Sequence, residues 1–298
     1  MLESLPDPVR GSISLVVLAV NTIVWSLLLL VVALVKLVIP IDSWRTSCSR
    51  LLNAIGQNWV ACNNLGLQHT KKIHWDVEGV DGLEPNGWYL VVANHRSWVD
   101  IVALQKIFHR KIPLLKFFLK KELIWIPLLG IAWWALGFPF MRRSSSVHKD
   151  LETTRRACER FKVIPVSVMN FVEGTRFTDE KRQTQNSPFK NLLKPKAAGT
   201  ALVLGTMGER LHSILDVTIV YPEGVLDIWK FLCSKSMEIK VRVKQLPVTK
   251  ELIGDYLADR AYRRHFNSWL NTLWTDKDKQ IETLLQPAGQ GPKTAEEA

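Results

Sequence analysis

Residues 13–35 run without a single charge and are mostly apolar. A helix of that length reaches about 35 Å, enough to cross a bilayer core of about 30 Å. The run is too long for the apolar region of a signal peptide, lacks a basic leader, and has no small-residue cleavage site. Glu3, Asp7 and Arg10 precede it, while Lys36, Arg45, Arg50, Lys71 and Lys72 follow. That asymmetry places the bulk of the chain in the cytoplasm, on the inner membrane. The next stretch, 44–67, is only partly apolar. Trp44, Leu51, Leu52, Ile55, Trp59 and Val60 can share one helical face, so it reads as an amphipathic helix lying in the interface. Residues 1–70 are thus expected to form a membrane anchor. A re-entrant helical pair that does not cross is the alternative to a single span.

Beyond residue 70 the period changes. Strands are predicted at 73–78, 87–93, 165–172, 214–221 and 237–246. The second, from Trp88 to Ala93, is apolar throughout and should be central. Helices are predicted from Ser97 and over 120–137, 149–161, 196–209 and 250–285. Strands alternating with helices predict an α/β fold: a mixed, largely parallel sheet flanked by helices, in one domain over 71–286. Residues 178–188 read as a polar, mobile loop, and 287–298 as a disordered tail rich in Gly, Pro, Ala and Glu.

Charge narrows the partners. The net charge is +11, and it is uneven. Between positions 106 and 149 stand nine Lys and Arg residues against one acid, Glu122. Such an excess suits anionic lipid head groups, a phosphorylated substrate or an acidic carrier protein. Nucleic acid is not expected, because no binding motif accompanies the charge and the interleaved residues are apolar. The four cysteines have neither C-x-x-C nor zinc spacing and read as reduced thiols.

Two polar motifs interrupt this apolar pattern. One is Asn94-His95-Arg96-Ser97-Trp98-Val99-Asp100; the other is Phe171-Val172-Glu173-Gly174-Thr175-Arg176. At this composition His-x4-Asp arises by chance about 0.3 times, and Glu-Gly-Thr-Arg about 0.003 times, so the second is the sharper signal. His95 lies where a buried strand meets a helix, the place for a base that takes a hydroxyl proton. A helix N-terminus disfavours imidazolium, and Asp100 in the first turn would counter this and orient the ring. The plainer alternative is that Asp100 caps the helix with Ser97. Arg176 offers a planar fork for phosphate oxygens. Gly174 lets backbone come close, Thr175 sits between them, and Glu173 would bond a ligand hydroxyl or hold Arg176. Lys120 and Lys121 are candidates for phosphate or membrane contact, or for a solvated face. The run holding Trp125, Trp133, Trp134, Phe138 and Phe140 reads as packed core, with an acyl-chain groove as the alternative. There is no Gly-x-Ser-x-Gly elbow and no Cys beside a candidate base, which favours direct transfer over an acyl-enzyme. No metal cluster or dinucleotide fingerprint is present, so no cofactor is expected.

These motifs resemble those of the 1-acylglycerol-3-phosphate acyltransferases, the PlsC-type glycerolipid acyltransferases. Lys120-Lys121-Glu122-Leu123, Ile126-Pro127-Leu128-Leu129-Gly130 and Gly137-Phe138-Pro139-Phe140-Met141-Arg142-Arg143 look like that family's second block. Val217-Thr218-Ile219-Val220-Tyr221-Pro222 looks like its fourth, and the resemblance spans about residues 73 to 222. Val172 stands where the third block usually has Pro, and Met141 where the second usually has Asp. The hydrophobic N-terminus and Trp-rich C-terminal helix look closest to the bacterial YihG-type branch. The resemblance implies a membrane-bound enzyme that moves a fatty acyl group from acyl-CoA or acyl-carrier protein to the 2-hydroxyl of a lysophospholipid, lysophosphatidate first. It also implies His95 and Asp100 as the catalytic pair, and Lys196 and Gly199 as a further family position.

Overall fold

The computed structural model describes residues 5–141 and 147–286. Two long helices open the chain, α1 (Asp7–Val38) and α2 (Asp42–Thr70). Pro40 ends the first, because the residue before a proline is pushed out of helical conformation; Ile39 is extended at φ −107 and ψ 110. The pair forms an antiparallel hairpin. Asn21 Nδ2 donates to the Trp59 carbonyl at 3.2 Å and to Asn63 Oδ1 at 2.7 Å, and Trp59 Nε1 donates to Thr22 Oγ1 at 3.3 Å. The inner stripe of α2 is Cys48, Leu52, Gly56, Val60, Asn64 and Leu67. The face expected to lie in the interface divides: Leu52 and Val60 turn inward, Ile55 and Trp59 are half-buried, and Trp44 and Leu51 are exposed. At Gly56 the stripe admits Leu114, whose Cδ2 lies 2.8 Å from where a Cβ would stand.

The described residues form a six-stranded sheet in the order β1-β8-β7-β2-β6-β3. Its strands are β1 (Lys72–Glu78), β2 (Tyr89–Ala93), β3 (Leu115–Phe117), β6 (Ser167–Phe171), β7 (Ser213–Val220) and β8 (Ser236–Leu246). Two short strands, β4 (Leu119–Lys120) and β5 (Phe140–Met141), pair apart from it. Every neighbouring pair is parallel except β7 with β8. β2 is wholly buried between β6 and β7, the central place that its unbroken apolar run predicts. Both faces of the central strands are covered, which is why β2 and β7 are buried at every position, whereas β8 nearer the edge alternates buried Met237, Ile239, Val241 and Val243 with polar neighbours. On one face lie the hairpin and α3 (Val99–Phe108); Leu29, Ala33, Leu52, Val60 and Leu67 join the same apolar cluster as Val91, Val217 and Ile239. On the other lie α5 (Val147–Phe161), α7 (Ala197–Met207) and α9 (Arg260–Leu285). The boundary at residue 70 therefore separates elements without separating cores. α1 also packs on α4 (Leu129–Ala135) and α8 (Ile228–Cys233). The buried guanidinium of Arg10 bonds the Cys233 carbonyl from two nitrogens, at 3.0 and 2.9 Å.

Three predicted elements change. The helix over 120–137 is broken into β4, a tight turn at Lys121–Trp125 and α4. Pro127 supplies no N–H, Leu128 takes φ 62, and a Cβ on Gly130 would stand 2.0 Å from the Ile124 carbonyl oxygen. The C-terminal helix starts at Arg260 rather than 250, where Asp259 caps the Ala261 and Tyr262 amides at 2.7 and 3.0 Å. The polar loop at 178–188 holds a short helix, α6 (Asp179–Thr184), with Thr178 as its cap. The three-residue strand β3 is too short to leave a periodic signal. The tail 287–298 and Arg142 and Arg143 lie outside the described residues.

Candidate active site

The site forms where β2, β6 and β7 end together. Asn94 continues the sheet with its side chain: its Nδ2 donates to the Ile219 carbonyl and its Oδ1 accepts from the Ile219 amide, both at 2.9 Å. A side-chain amide thus replaces a ladder pair and pins the chain just before His95. The His95 ring lies flat on Phe171, 3.9 Å between centroids at 11°. Its side chain is 15% exposed, enough for one edge to meet a ligand.

Asp100 is fully buried at the start of α3 and does both of the things expected of it. Its Oδ2 sits 2.8 Å from His95 Nδ1 and accepts the amides of Arg96 at 2.6 Å and Ser97 at 2.9 Å. Its Oδ1 accepts from the Tyr221 hydroxyl at 2.5 Å. A carboxylate ringed by donors stays an acceptor, so the imidazole proton belongs on Nδ1 and Nε2 keeps its lone pair. Burial, then the adjacent carboxylate, holds the Tyr221 hydroxyl well above its ordinary range. Ser97 shares in the cap: its Oγ accepts the Val99 amide at 3.2 Å, the amide after next instead of that of Asp100, and donates to the Leu226 carbonyl at 2.6 Å, tying down the loop after β7.

Glu173 has a different task from the one expected. It is fully buried, and its oxygens accept the His95 amide and the Leu193 amide, each at 2.9 Å. It ties the end of β6 to the base and faces neither a glycerol hydroxyl nor Arg176. Burial pushes its carboxyl up to about 7 against the pull of the Leu193 and His95 amides and of Arg96. Arg96 is the cation on this side; it donates to the Asn191 carbonyl at 3.0 Å and stacks over Phe177 at 4.3 Å.

Gly174 turns the chain at φ 70, with Lys196 beside it: a Cβ there would meet the lysine at 3.1 Å from Cδ and 3.3 Å from Nζ. Gly199 lies one helical turn on, facing Asn170. Thr175 Oγ1 accepts from Lys181 Nζ at 3.0 Å, and the same ammonium bonds the Arg176 carbonyl at 3.0 Å. Phe177 N donates to the His95 carbonyl at 2.7 Å, which brings Arg176 beside the base. The Arg176 guanidinium lies over the Trp98 ring at 5.3 Å and has no carboxylate partner among the described residues. Lys120 and Lys121 are exposed at β4 and the turn after it. They follow Phe117, whose ring stacks on Phe171 at 6.1 Å, but reach none of the other candidates among the described residues. The expected aromatic groove divides: Phe138 is buried, whereas Trp125 and Trp134 are exposed. The basic stretch is not one surface either, since Lys116 is inside. Asn94, Arg96, Trp98 and Tyr221 all stand within motifs read from the sequence, but nothing in spacing alone assigns them these contacts.

Comparison with known proteins converges on one family. The Acyltransferase family profile matches residues 74–221. The 1-acyl-sn-glycerol-3-phosphate acyltransferase 3 of Arabidopsis thaliana is 26% identical over 65% of this chain and 52% of its own length. Lysocardiolipin acyltransferase 1 of Gallus gallus is 22% identical over 69% of this chain and 56% of its own length. The chain thus spans about half the length of the curated relatives it matches. In three dimensions it resembles the crystal structure of the 1-acyl-sn-glycerophosphate acyltransferase PlsC from Thermotoga maritima, with TM-score 0.55, 16% identity and coverage of 95% of this chain and 100% of that one.

Proposed function

The chain belongs to the PlsC-type acyltransferase family, and from that premise we propose that it transfers a fatty acyl group from an acyl thioester to the 2-hydroxyl of lysophosphatidate, giving phosphatidate. The observation that carries this reading is His95 with Nδ1 held by Asp100 and with no partner at Nε2 among the described residues, on the same rim as Arg176, which has no carboxylate partner among them. Nε2 takes the hydroxyl proton as the oxygen attacks the thioester carbonyl. Asp100 stabilises the imidazolium that forms. The carbon–sulfur bond then breaks, and the imidazolium returns its proton to the departing thiolate. Arg176 clamps the acceptor phosphate, Trp98 holding its fork in place, while Gly174 and Thr175 shape the turn beneath and Lys120 and Lys121 lie at the approach. The donor is acyl-CoA or acyl-carrier protein, and the step requires no cofactor.

The membrane enters through α1, which is long and apolar enough to cross a bilayer and whose most apolar window is 11% buried. We place the catalytic domain on the cytoplasmic side of the inner membrane. Packing of α1 on α2, α4 and α8 favours a hairpin attached along one bilayer face over a lone span. The YihG-type branch remains part of this proposal, supported by the long N-terminal segment. A second acceptor is favoured by the likeness to lysocardiolipin acyltransferase 1: another lysophospholipid with the same 2-hydroxyl chemistry. The test offers purified protein a panel of lysolipids with both donor types and scores acylated product. Highest kcat/KM on lysophosphatidate is expected. Turnover confined to another lysolipid would favour the second reading, and no turnover on any would leave a lipid-binding protein.

A further inference from the structure

A cavity of about 730 Å³ opens between the tip of the hairpin and the β3 edge of the sheet. Lys36 closes it from the end of α1, Arg45 from the first turn of α2, Lys116 from β3 and Arg160 from α5. Asp42 is the one acid among the lining residues. His95, Asp100, Glu173 and Arg176 do not line it, so it is separate from the candidate active site.

Its charge is unmatched. Among the described residues Lys36, Arg45 and Arg160 have no ion-pair partner. Lys116 is buried; its Nζ donates to the Leu136 carbonyl at 2.7 Å and lies 5.3 Å over the Phe161 ring. Burial, then Lys36 and Arg160, brings this ammonium down to about 7. Four basic side chains against the single carboxylate of Asp42 leave an excess of positive charge that suits an anion. A phosphate alone would leave the rest of the wall unused. Leu37 and Trp134 line the cavity and are 57% and 49% exposed. Leu37 continues directly into the outer face of α1, where Val31, Leu34 and Val38 are also exposed. Cations at one end and an apolar wall leading to a membrane-facing helix match a molecule with an anionic head and acyl chains.

We infer that this cavity holds one anionic phospholipid from the bilayer, its phosphate among Lys36, Arg45 and Arg160 and its chains along Leu37, Trp134 and the outer face of α1. The lipid would bridge the hairpin tip to α5 and β3 and so fix the hairpin against the sheet. This does not rest on the acyl-transfer reading, and its readout is binding, not turnover.

Full-length protein in a neutral detergent is titrated with dioctanoyl phosphatidylglycerol, dioctanoyl phosphatidylcholine and coenzyme A, and bound species are counted by native mass spectrometry. One phosphatidylglycerol per chain is expected, with much weaker phosphatidylcholine. Arg45→Gln with Arg160→Gln should weaken phosphatidylglycerol roughly thirtyfold, about fivefold per cation. A wild-type melting temperature and circular dichroism spectrum in lipid-free detergent establish that the double variant is folded; Lys36→Gln, expected to weaken binding about fivefold, serves if it is not. Equal affinity for the two lipids, or undiminished binding in folded variants, overturns the inference. So does displacement of the lipid by equimolar coenzyme A, which would mean that the cavity reads a nucleotide phosphate.

Discussion

Two carboxylates stand beyond neighbouring strands, Asp100 in the first turn of α3 and Glu173 just after β6, both fully buried and both bonded to backbone amides, yet they serve opposite ends. Asp100 divides its oxygens between the backbone, the Tyr221 hydroxyl and the His95 ring. Glu173 gives both of its oxygens to amides alone. One can respond to a change of charge on a neighbour; the other only holds two chain segments at a set spacing. A buried carboxylate in a family motif is therefore not by itself a catalytic one. What distinguishes it is a titratable side chain within hydrogen-bond reach. Arg176, a short distance along from Glu173, is the reverse case: an exposed group over the Trp98 ring with no carboxylate partner among the described residues.

The widest separation should come from the Asp100 side. His95→Ala should cut kcat by about 10^2 to 10^4 while leaving the melting temperature near wild type, since general-base contributions have that size. Asp100→Asn should fall in the same range, because the imidazolium loses its anion. Steady-state kinetics of both variants, with circular dichroism as a check on folding, decide this. Near-normal turnover in a folded His95→Ala protein would remove the mechanism.

Arg176→Ala comes next. A lost charge-assisted bidentate contact is worth about 1.5–3 kcal/mol, roughly ten- to hundredfold in kcat/KM on lysophosphatidate. An uncharged monoacylglycerol should lose little, and Arg176→Lys should recover part, keeping the charge but not the fork. Equal losses on both acceptors would make Arg176 structural, like Glu173.

Glu173→Gln should act on stability rather than on chemistry. Its amide turns two donors toward a backbone N–H, at a cost of about 1–3 kcal/mol in urea unfolding at pH 8. The pH dependence separates the carboxylates further. Because burial raises Glu173 to about 7, the folded state keeps a proton that the unfolded chain has already released. Stability should fall as pH rises from about 4.3 to 7 and level off above. The variant should lose that slope; an unchanged slope would place it elsewhere.

The smallest effect belongs to Tyr221→Phe. It removes one of four donors to Asp100, about 1 kcal/mol and a severalfold drop in kcat. If Tyr221 positions the carboxylate, the acid limb of the pH–rate profile should shift with it, whereas a purely structural loss would lower activity evenly across pH.

Much of this protein was legible before folding. The charge-free run over residues 13–35 follows from its length and composition, and the apolar strand ending at Ala93 from burial on two faces, which demands apolar residues at every position. The pairing of His95 with Asp100 was legible for a local reason: five residues across a strand-to-helix junction bring a first-turn carboxylate back over the preceding loop. Contacts between segments distant in the chain were not. Asn94 meets Ile219, Tyr221 meets Asp100 and Glu173 meets Leu193 only because parallel strands bring their ends together, and no local pattern encodes that. The turn that broke the helix over 120–137 was decided by the Ile124 carbonyl packed onto Gly130. The hairpin's outer face could be read as apolar from its composition. That its inner face belongs to the sheet's own core was decided by packing, since a helix's sequence sets which stripe is apolar but not what covers it.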